Sequence, residues 1–375
     1  MSLIQYLTNI TLEPGAVASL EGVLRGLGVK KPLLVTDQGV QKTIAYDKVV
    51  RSTGLAMAVY ADTPSNPTEE AVEDALAVYQ HEGCDSVVAL GGGSPIDLAK
   101  AVALLATHPA PLTQYALVLG GLGRITSAVA PIVAIPTTAG TGSEVGRGAL
   151  ITLRDGRKLG LISPFIIPKH AICDPEITLS LPPRLTAATG MDALAHCIET
   201  FLSPRLNPVA DAIALDGASR AFRHIELAMH EGTNLSARQE MMTASLMGGL
   251  CFQKGLGAVH SLSHALGAIK EPSLHHGTLN AILLLPVLRA NRAHTQDKYA
   301  RLVAAMGLPA GADLAEEIAG LNARLGIPAT LSAMGVTAAM LPRVVEGALA
   351  DHSHATNPFQ PTSEQYGEIL ASVME

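Results

Sequence analysis

Hydrophobic positions in the first half of the chain come in short runs, and stretches of helical spacing separate them. The run that begins near Pro32 and ends at Leu34–Thr36 predicts a buried strand with Asp37 at its carboxyl end. A second strand is expected over Leu55–Ala61. Thr68–Gln80 carries apolar residues at helical spacing, with Glu69 and Glu70 in the first turn, where the helix dipole favours acids. Ser86–Leu90 reads as a strand feeding Gly91-Gly92-Gly93-Ser94, with a helix from Pro95. Proline suits a first helical position, Ser94 is expected as the N-cap, and Asp97 stands three residues on as a capping-box acid would. Ile132–Ile135 is a further strand, and Ala149–Leu153 with Lys158–Ile162 predicts a hairpin around Asp155-Gly156. Such alternation predicts a mostly parallel sheet covered on both faces.

The second half loses that rhythm. Helical patterns run over Leu185–Phe201, Pro208–Met229, Ala237–Phe252 and Leu256–Ala268, and 284–374 reads as helices joined by short loops. Pro182 and Pro183 mark the change. The expected organisation is an α/β domain over 1–181 and an all-helical domain over 182–375. The cleft between them is the expected place for a site.

Composition narrows the class. Of 375 residues 48% are hydrophobic and 16% charged, which excludes disorder. Aromatics are 3% with no Trp, so the cores are aliphatic and a platform of stacked rings for nucleic acid is excluded. A formal charge of −7 and no basic stripe argue against a nucleic-acid partner. Cys84, Cys173, Cys197 and Cys251 are scattered, form no CxxC pair and point to a reducing compartment. The start, Met1-Ser2-Leu3-Ile4-Gln5, lacks the pattern of a signal peptide. Ala281–Leu288, the most apolar stretch, is interrupted by Pro286 and too short to cross a bilayer. A soluble cytoplasmic protein without membrane partners is the expectation.

Two loops suggest a nucleotide. Gly91–Asp97 combines glycines, which let backbone approach a ligand, with a helix start, whose free N–H groups suit phosphate. It is not a GxGxxG fingerprint, and a tight strand-to-helix turn is the plain alternative. Pro136–Glu144 also follows a strand and is rich in Thr, Ser and Gly, as a pyrophosphate or ribose cradle requires. Asp37, at the end of another strand, suits a ribose 2′-hydroxyl and would repel a 2′-phosphate, favouring NAD over NADP; taken alone such a residue is more often a turn or cap residue.

The helical half gathers histidines. Asp192 and His196 are four apart and share a helix face, as are His260 and His264, while His275 and His276 fall in a loop before Gly277. One carboxylate and three imidazoles would suit Fe²⁺ or Zn²⁺ with a position left for substrate. The plain alternatives are that His264 is a core histidine or a support to other ligands, and His275 simply solvent-exposed. No HExxH is present, so that peptidase class is not indicated. His352 and His354 sit near the C-terminus.

Five segments together resemble the iron-containing (group III) alcohol dehydrogenases over essentially the whole length: GGGSPIDLAK at Gly91–Lys100, PTTAGTGSE at Pro136–Glu144, MDALAHCIE at Met191–Glu199, HSLSHALG at His260–Gly267 and HHGTLNAILLLP at His275–Pro286. The resemblance implies a nucleotide-binding α/β domain and a helical domain, with metal ligands at Asp192, His196, His260 and His276. It implies His264 beside the nicotinamide as the catalytic histidine. It also implies NAD contacts at Asp37, Asn66, Gly92, Gly93, Ser94, Asp97, Thr137, Thr138 and Lys158. The segment before His276 is longer than usual. Lys270–His275 resembles branches acting on ω-hydroxy acids such as 4-hydroxybutyrate, and Lys270 is either a holder of substrate carboxylate or a surface lysine.

The activity so implied is hydride transfer between a small primary alcohol or aldehyde and NAD(H), assisted by Fe²⁺ or Zn²⁺ acting as a Lewis acid, in a homodimer. Related readings are a maleylacetate-reductase-like enzyme that works without metal, a glycerol-dehydrogenase-like enzyme and a dehydroquinate-synthase-like lyase. A non-catalytic NAD-binding regulator is a different class. The full ligand set and the motif spacings favour the iron type.

Overall fold

The computed structural model describes Ile4, Tyr6, Thr8–Thr295 and Asp297–Glu375. The signal-peptide expectation rests on Met1–Gln5, of which all but Ile4 lie outside the described residues. The chain divides into two compact units, one ending at Leu181 and the other comprising Pro182–Glu375 together with Ile4.

In the first unit the strands are β1 (Asn9–Leu12), β2 (Pro32–Val35), β3 (Ala58–Tyr60), β4 (Ser86–Gly91), β5 (Ile132–Pro136), β6 (Gly148–Thr152), β7 (Lys158–Ile162) and β8 (His170–Cys173). Helices α1 (Leu20–Gly26), α2 (Ile44–Arg51), α3 (Glu69–His81) and α4 (Gly93–Leu105) alternate with them. Six strands form a parallel sheet of order β1-β8-β5-β4-β2-β3. Strands β6 and β7 form the expected antiparallel hairpin.

Period-two alternation feeds a core on each face of the sheet. Leu33, Val87 and Ile132 pack with Val72 of α3 and Ile96 and Val102 of α4. Their neighbours Leu34, Val88 and Val133 pack with Leu20 and Leu24 of α1 and Val49 of α2. From β2 the chain moves outward to β3, whereas from β4 it proceeds to β5 and β8 on the other side. Strand order thus reverses between β2 and β4, the place where parallel sheets open a crevice at their carboxyl ends. Asp37 follows β2 there, and Gly91 ends β4, with Gly92 and Gly93 leading into α4.

The strand expected over Leu55–Ala61 is only Ala58–Tyr60. It lies at the sheet edge, and Leu55 and Met57 instead pack against the core on the α1 and α2 side. Thr68 lies just outside α3 as its N-cap, accepting from the Ala71 N–H at 3.3 Å.

In the second unit the helices are α5 (Pro183–Leu202), α6 (Pro208–His230), α7 (Leu235–Cys251), α8 (Ala258–Gly267), α9 (His276–Asn291), α10 (Lys298–Ala305), α11 (Leu314–Arg324), α12 (Leu341–Ala350) and α13 (Ser363–Ala371). Pro183 opens α5, where its missing N–H costs nothing. From Thr186 to Leu202 every residue of α5 is buried. A helix buried on all sides belongs at the centre of its bundle. The reading of 284–374 as separate helices needs one correction, because Leu284 lies inside α9 and Pro286 is accommodated within that helix. Among the described residues no helix is long and apolar enough to cross a membrane.

Candidate active site

In the first unit the two glycine-bearing loops meet. The Thr137 N–H donates to the Gly91 carbonyl at 3.0 Å, tying the end of β5 to that of β4. Gly91 adopts φ +154°, and a Cβ there would lie 2.5 Å from the Pro95 ring, so the turn requires glycine. A Cβ at Gly93 would press on Thr141 at 2.9 Å, and one at Gly92 would stand 3.3 Å from Thr138. These backbones approach the second loop as closely as side chains allow.

The N-cap assignment is corrected. Helix α4 begins at Gly93, its N-cap is Gly92, and no side chain caps it. Ser94 lies inside the first turn and its hydroxyl donates to the Ser65 carbonyl at 2.5 Å. Asp97 is not a capping-box acid either. Its carboxylate accepts from Ser143 Oγ at 2.5 Å and from the Leu150 N–H at 2.9 Å, so it is held by the second loop and β6. An uncapped start leaves first-turn amides for an anion.

The remaining expected residues frame the same end of the sheet. Asn66 Oδ1 accepts from Lys158 Nζ at 2.9 Å. Asp37 Oδ1 accepts from the N–H groups of Gly39 and Val40 at 2.8 and 2.9 Å, the local turn role that its type allows. Thr138 Oγ1 is buried and has no protein partner, an orphaned hydroxyl inside the loop expected to hold a nucleotide.

Sequence reasoning passed over the residue that fixes this loop. Lys100 is fully buried, and Nζ donates to Ser143 Oγ at 2.8 Å and to the carbonyls of Gly146 and Gly148 at 3.0 and 2.6 Å. Burial lowers its pKa to about 8, against the pull of Asp97 and Glu144. Glu144 is also buried; burial raises its pKa to about 7 although its own backbone and Lys100 draw it down.

In the second unit three helices bring four donors together. Asp192 and His196 lie one turn apart on α5, His260 on α8, and His276 at the first position of α9. Their ligand atoms all lie within 4.8 Å of one another. Asp192 Oδ1 is 3.5 Å from His196 Nε2, 3.8 Å from His260 Nε2 and 3.7 Å from His276 Nε2. Donors each about 2.1 Å from a shared ion sit roughly 3.4 Å apart at tetrahedral angles, so the set fits a divalent metal after small adjustment.

The doublet His275-His276 is not in a loop. His275 is the exposed N-cap of α9 and His276 its first residue. Gly277 makes this possible, since a Cβ there would lie 2.2 Å from the Ala188 carbonyl oxygen; any side chain would push α9 off α5. Lys270 is exposed.

Burial would raise the Asp192 pKa, yet His196, His276 and His260 hold it well below the usual carboxylate range. Burial would lower His260, yet the neighbouring carboxylates of Asp192 and Glu199 lift it to about 9. The cluster therefore calls for positive charge at its centre, which a metal ion supplies. Asn280, one turn into α9, puts its amide nitrogen 2.6 Å from Asp192 Oδ1, 3.2 Å from His260 Nε2 and 3.1 Å from His276 Nε2. Its Oδ1 is buried without a partner.

Sequence reasoning missed the supporting carboxylates. Glu199 Oε2 lies 2.5 Å from His260 Nδ1, and Oε1 accepts from the Val259 N–H at 2.7 Å. Glu199 falls in the quoted MDALAHCIE segment one turn beyond His196, and that spacing was the available signal. Asp351 Oδ2 lies 2.9 Å from His264 Nδ1. His264 is buried beside the ligands, its ring stacked on that of His276 at 5.5 Å.

Comparisons with known proteins agree over the full length. The iron-containing alcohol dehydrogenase family matches residues 8–175, and the C-terminal part of the Fe-containing alcohol dehydrogenase family matches 186–374. A 4-hydroxybutyrate dehydrogenase from Cupriavidus necator is 53% identical over 382 aligned positions, covering 100% of both chains. A solved 1,3-propanediol oxidoreductase shares 36% identity at a TM-score of 0.93, covering 99% of this chain and 100% of that one. The sulfoacetaldehyde reductase of Bifidobacterium kashiwanohense, solved in complex with NAD⁺, shares 27% identity at a TM-score of 0.89, covering 100% of this chain and 98% of that one.

Proposed function

The chain belongs to the iron-containing alcohol dehydrogenase family, and from that premise we propose that it interconverts 4-hydroxybutyrate and its aldehyde with NAD(H). The carrying observation is the set of buried Asp192, His196 and His260 with half-buried His276, delivered by three helices to within 4.8 Å. The substrate assignment draws on the Cupriavidus relative, and a small primary alcohol or diol is the broader class.

Oxidation removes a hydride from the carbinol carbon and a proton from its hydroxyl, leaving aldehyde, NADH and a proton. The four-residue set would hold Fe²⁺, with Zn²⁺ the other ion such donors accept, and the ion supplies Lewis acidity toward the alcohol oxygen. Glu199 fixes the His260 ring and raises its basicity as a ligand. In this reading the first unit is the NAD-binding domain and the second the catalytic domain. Gly92, Gly93, Ser94, Thr137 and Thr138 offer amides and hydroxyls to the pyrophosphate; the uncapped α4 and the orphaned Thr138 hydroxyl support this. Asp37 takes the ribose 2′-hydroxyl and disfavours NADP. Asn66 and Lys158 act as a bonded pair beside them, while Asp97 shapes the loop from behind. His264 contacts the reacting groups.

The enzyme works in the cytoplasm, a reading supported by its four free, buried cysteines. A homodimer is the commonest soluble assembly.

The test is NADH formation by metal-depleted protein resupplied anaerobically with Fe²⁺ or Zn²⁺, across short alcohols, 1,3-propanediol and ω-hydroxy acids. Metal-dependent NADH formation with 4-hydroxybutyrate as the best substrate is expected. Turnover that ignores added metal would move the protein to a metal-independent reductase. A diol ranking first would replace the substrate.

A further inference from the structure

Helix α8 carries two buried imidazoles one turn apart, and each engages a carboxylate through Nδ1: His260 with Glu199 at 2.5 Å and His264 with Asp351 at 2.9 Å. Only His260 belongs to the four-residue donor set. The second pair therefore repeats the geometry that supports a ligand, at a histidine outside that four-residue set.

The surroundings of His264 show how tightly it is held. Its ring stacks on His276 at 5.5 Å with 10° between planes and on His352 at 5.9 Å with 19°. Two parallel neighbours fix the ring plane. Rotation within that plane is fixed by Asp351 alone among the described hydrogen bonds to this ring. Asp351 has only 10% of its side chain exposed, and its two oxygens have separate tasks. Oδ1 accepts from the Ser353 N–H at 2.8 Å, shaping the turn after α12, and Oδ2 meets His264. Burial would raise its pKa, but His264, His352 and the Ser353 amide keep it well below the usual carboxylate range. An ionised carboxylate only accepts, so the ring proton lies on Nδ1.

We propose that Asp351 is a positioning residue of the active site: it locks His264 in one orientation and as the Nδ1–H tautomer, leaving Nε2 as the ring nitrogen that meets substrate or cofactor. The proposal rests on the dehydrogenase reading above for the use of Nε2, but not for the tautomer itself.

Asp351→Asn separates this from a structural role. Asparagine keeps an oxygen for the Ser353 N–H and turns its NH₂ toward His264, which forces the proton to Nε2. In protein labelled with ¹⁵N-histidine, wild type shows the His264 signals of an Nδ1–H ring and the variant those of an Nε2–H ring. Metal content stays at the wild-type value, the KM for NAD changes by less than about threefold, and kcat falls about 10²–10⁴-fold, as when a support or tautomer is lost. In a His264→Ala background Asp351→Asn costs nothing further, because its partner is gone. An unchanged tautomer overturns the proposal, as does a further fall in the His264→Ala background or a loss of metal. If wild type oxidises no alcohol, the dehydrogenase reading fails, and the ¹⁵N spectra still decide the role of Asp351.

Discussion

The loops at the ends of β4 and β5 and the histidine cluster of α5, α8 and α9 are built on opposite principles. The loops present backbone amides and small hydroxyls. Their shape comes from glycines packed against threonines and from one buried lysine that ties Ser143, Gly146 and Gly148 together. The cluster presents long side chains from regular helices, with Gly277 allowing close approach and Glu199 and Asp351 setting the rings. Flexible backbone thus needs a central pin, whereas rigid helices need only correct side chains and supports. Damage to the two regions should separate cleanly: nucleotide affinity in one, metal retention in the other.

The largest effect is expected at the cluster. Removing one imidazole by His260→Ala or His276→Ala leaves three donors and opens a cavity in a buried site. Bound metal should fall below about a tenth of an equivalent and kcat by at least about 10³-fold, with NAD affinity kept. Elemental analysis and NADH titration check both halves. Full metal occupancy in either variant would remove that residue from the ligand set.

The same contrast explains what the sequence made visible. Asp192 with His196, and His260 with His264, announce themselves because a helix places residues four apart on one face. What joins these pairs is not local. His260 meets Glu199 across 61 positions, His264 meets Asp351 across 87, and Asn280 meets Asp192 across 88, and no periodicity encodes such separations. In the first unit β4 and β5 were legible as apolar runs ended by glycine or proline. Strand β1 was not, since it is four residues long, half-exposed, and paired with β8 at the far end of the domain. Ser94 misled because serine before proline is a common cap. Here the glycines carry the chain into the helix two residues sooner, and the hydroxyl serves the Ser65 carbonyl.

Next in size is the loop pin. Lys100→Met fills similar volume but takes away the donor to the Gly146 and Gly148 carbonyls and leaves Ser143 Oγ with its bond to Asp97. A buried polar group left without its partner typically costs about 1–3 kcal/mol, and part of that should appear here as lost stability. The dissociation constant for NAD should rise at least about tenfold while bound metal is unchanged. Loss of metal in this variant would show that the two regions are not built independently.

A smaller effect is expected at Asp37. Its Oδ1 already serves Gly39 and Val40, so the proposed ribose contact adds one hydrogen bond and a repulsion toward 2′-phosphate. Asp37→Ala should narrow the preference for NAD over NADP about tenfold, a hydrogen bond to a charged group contributing about 1.5–3 kcal/mol. An unchanged ratio of kcat/KM values for the two cofactors would assign Asp37 to the turn alone.

The smallest effect separates the pin from the charge beside it. Burial places the Glu144 pKa at about 7, above its ordinary 4.5. Between those values the folded chain keeps a proton that the unfolded chain has released, so Glu144 makes stability fall as pH rises through that window. Glutamine cannot ionise and removes this slope. The Tm of Glu144→Gln, relative to wild type, should therefore climb between pH 5 and pH 7, by on the order of 3 °C for each kcal/mol of lost penalty. A constant difference would mean that Lys100 holds Glu144 ionised throughout, making the lysine a partner in charge as well as a pin of backbone.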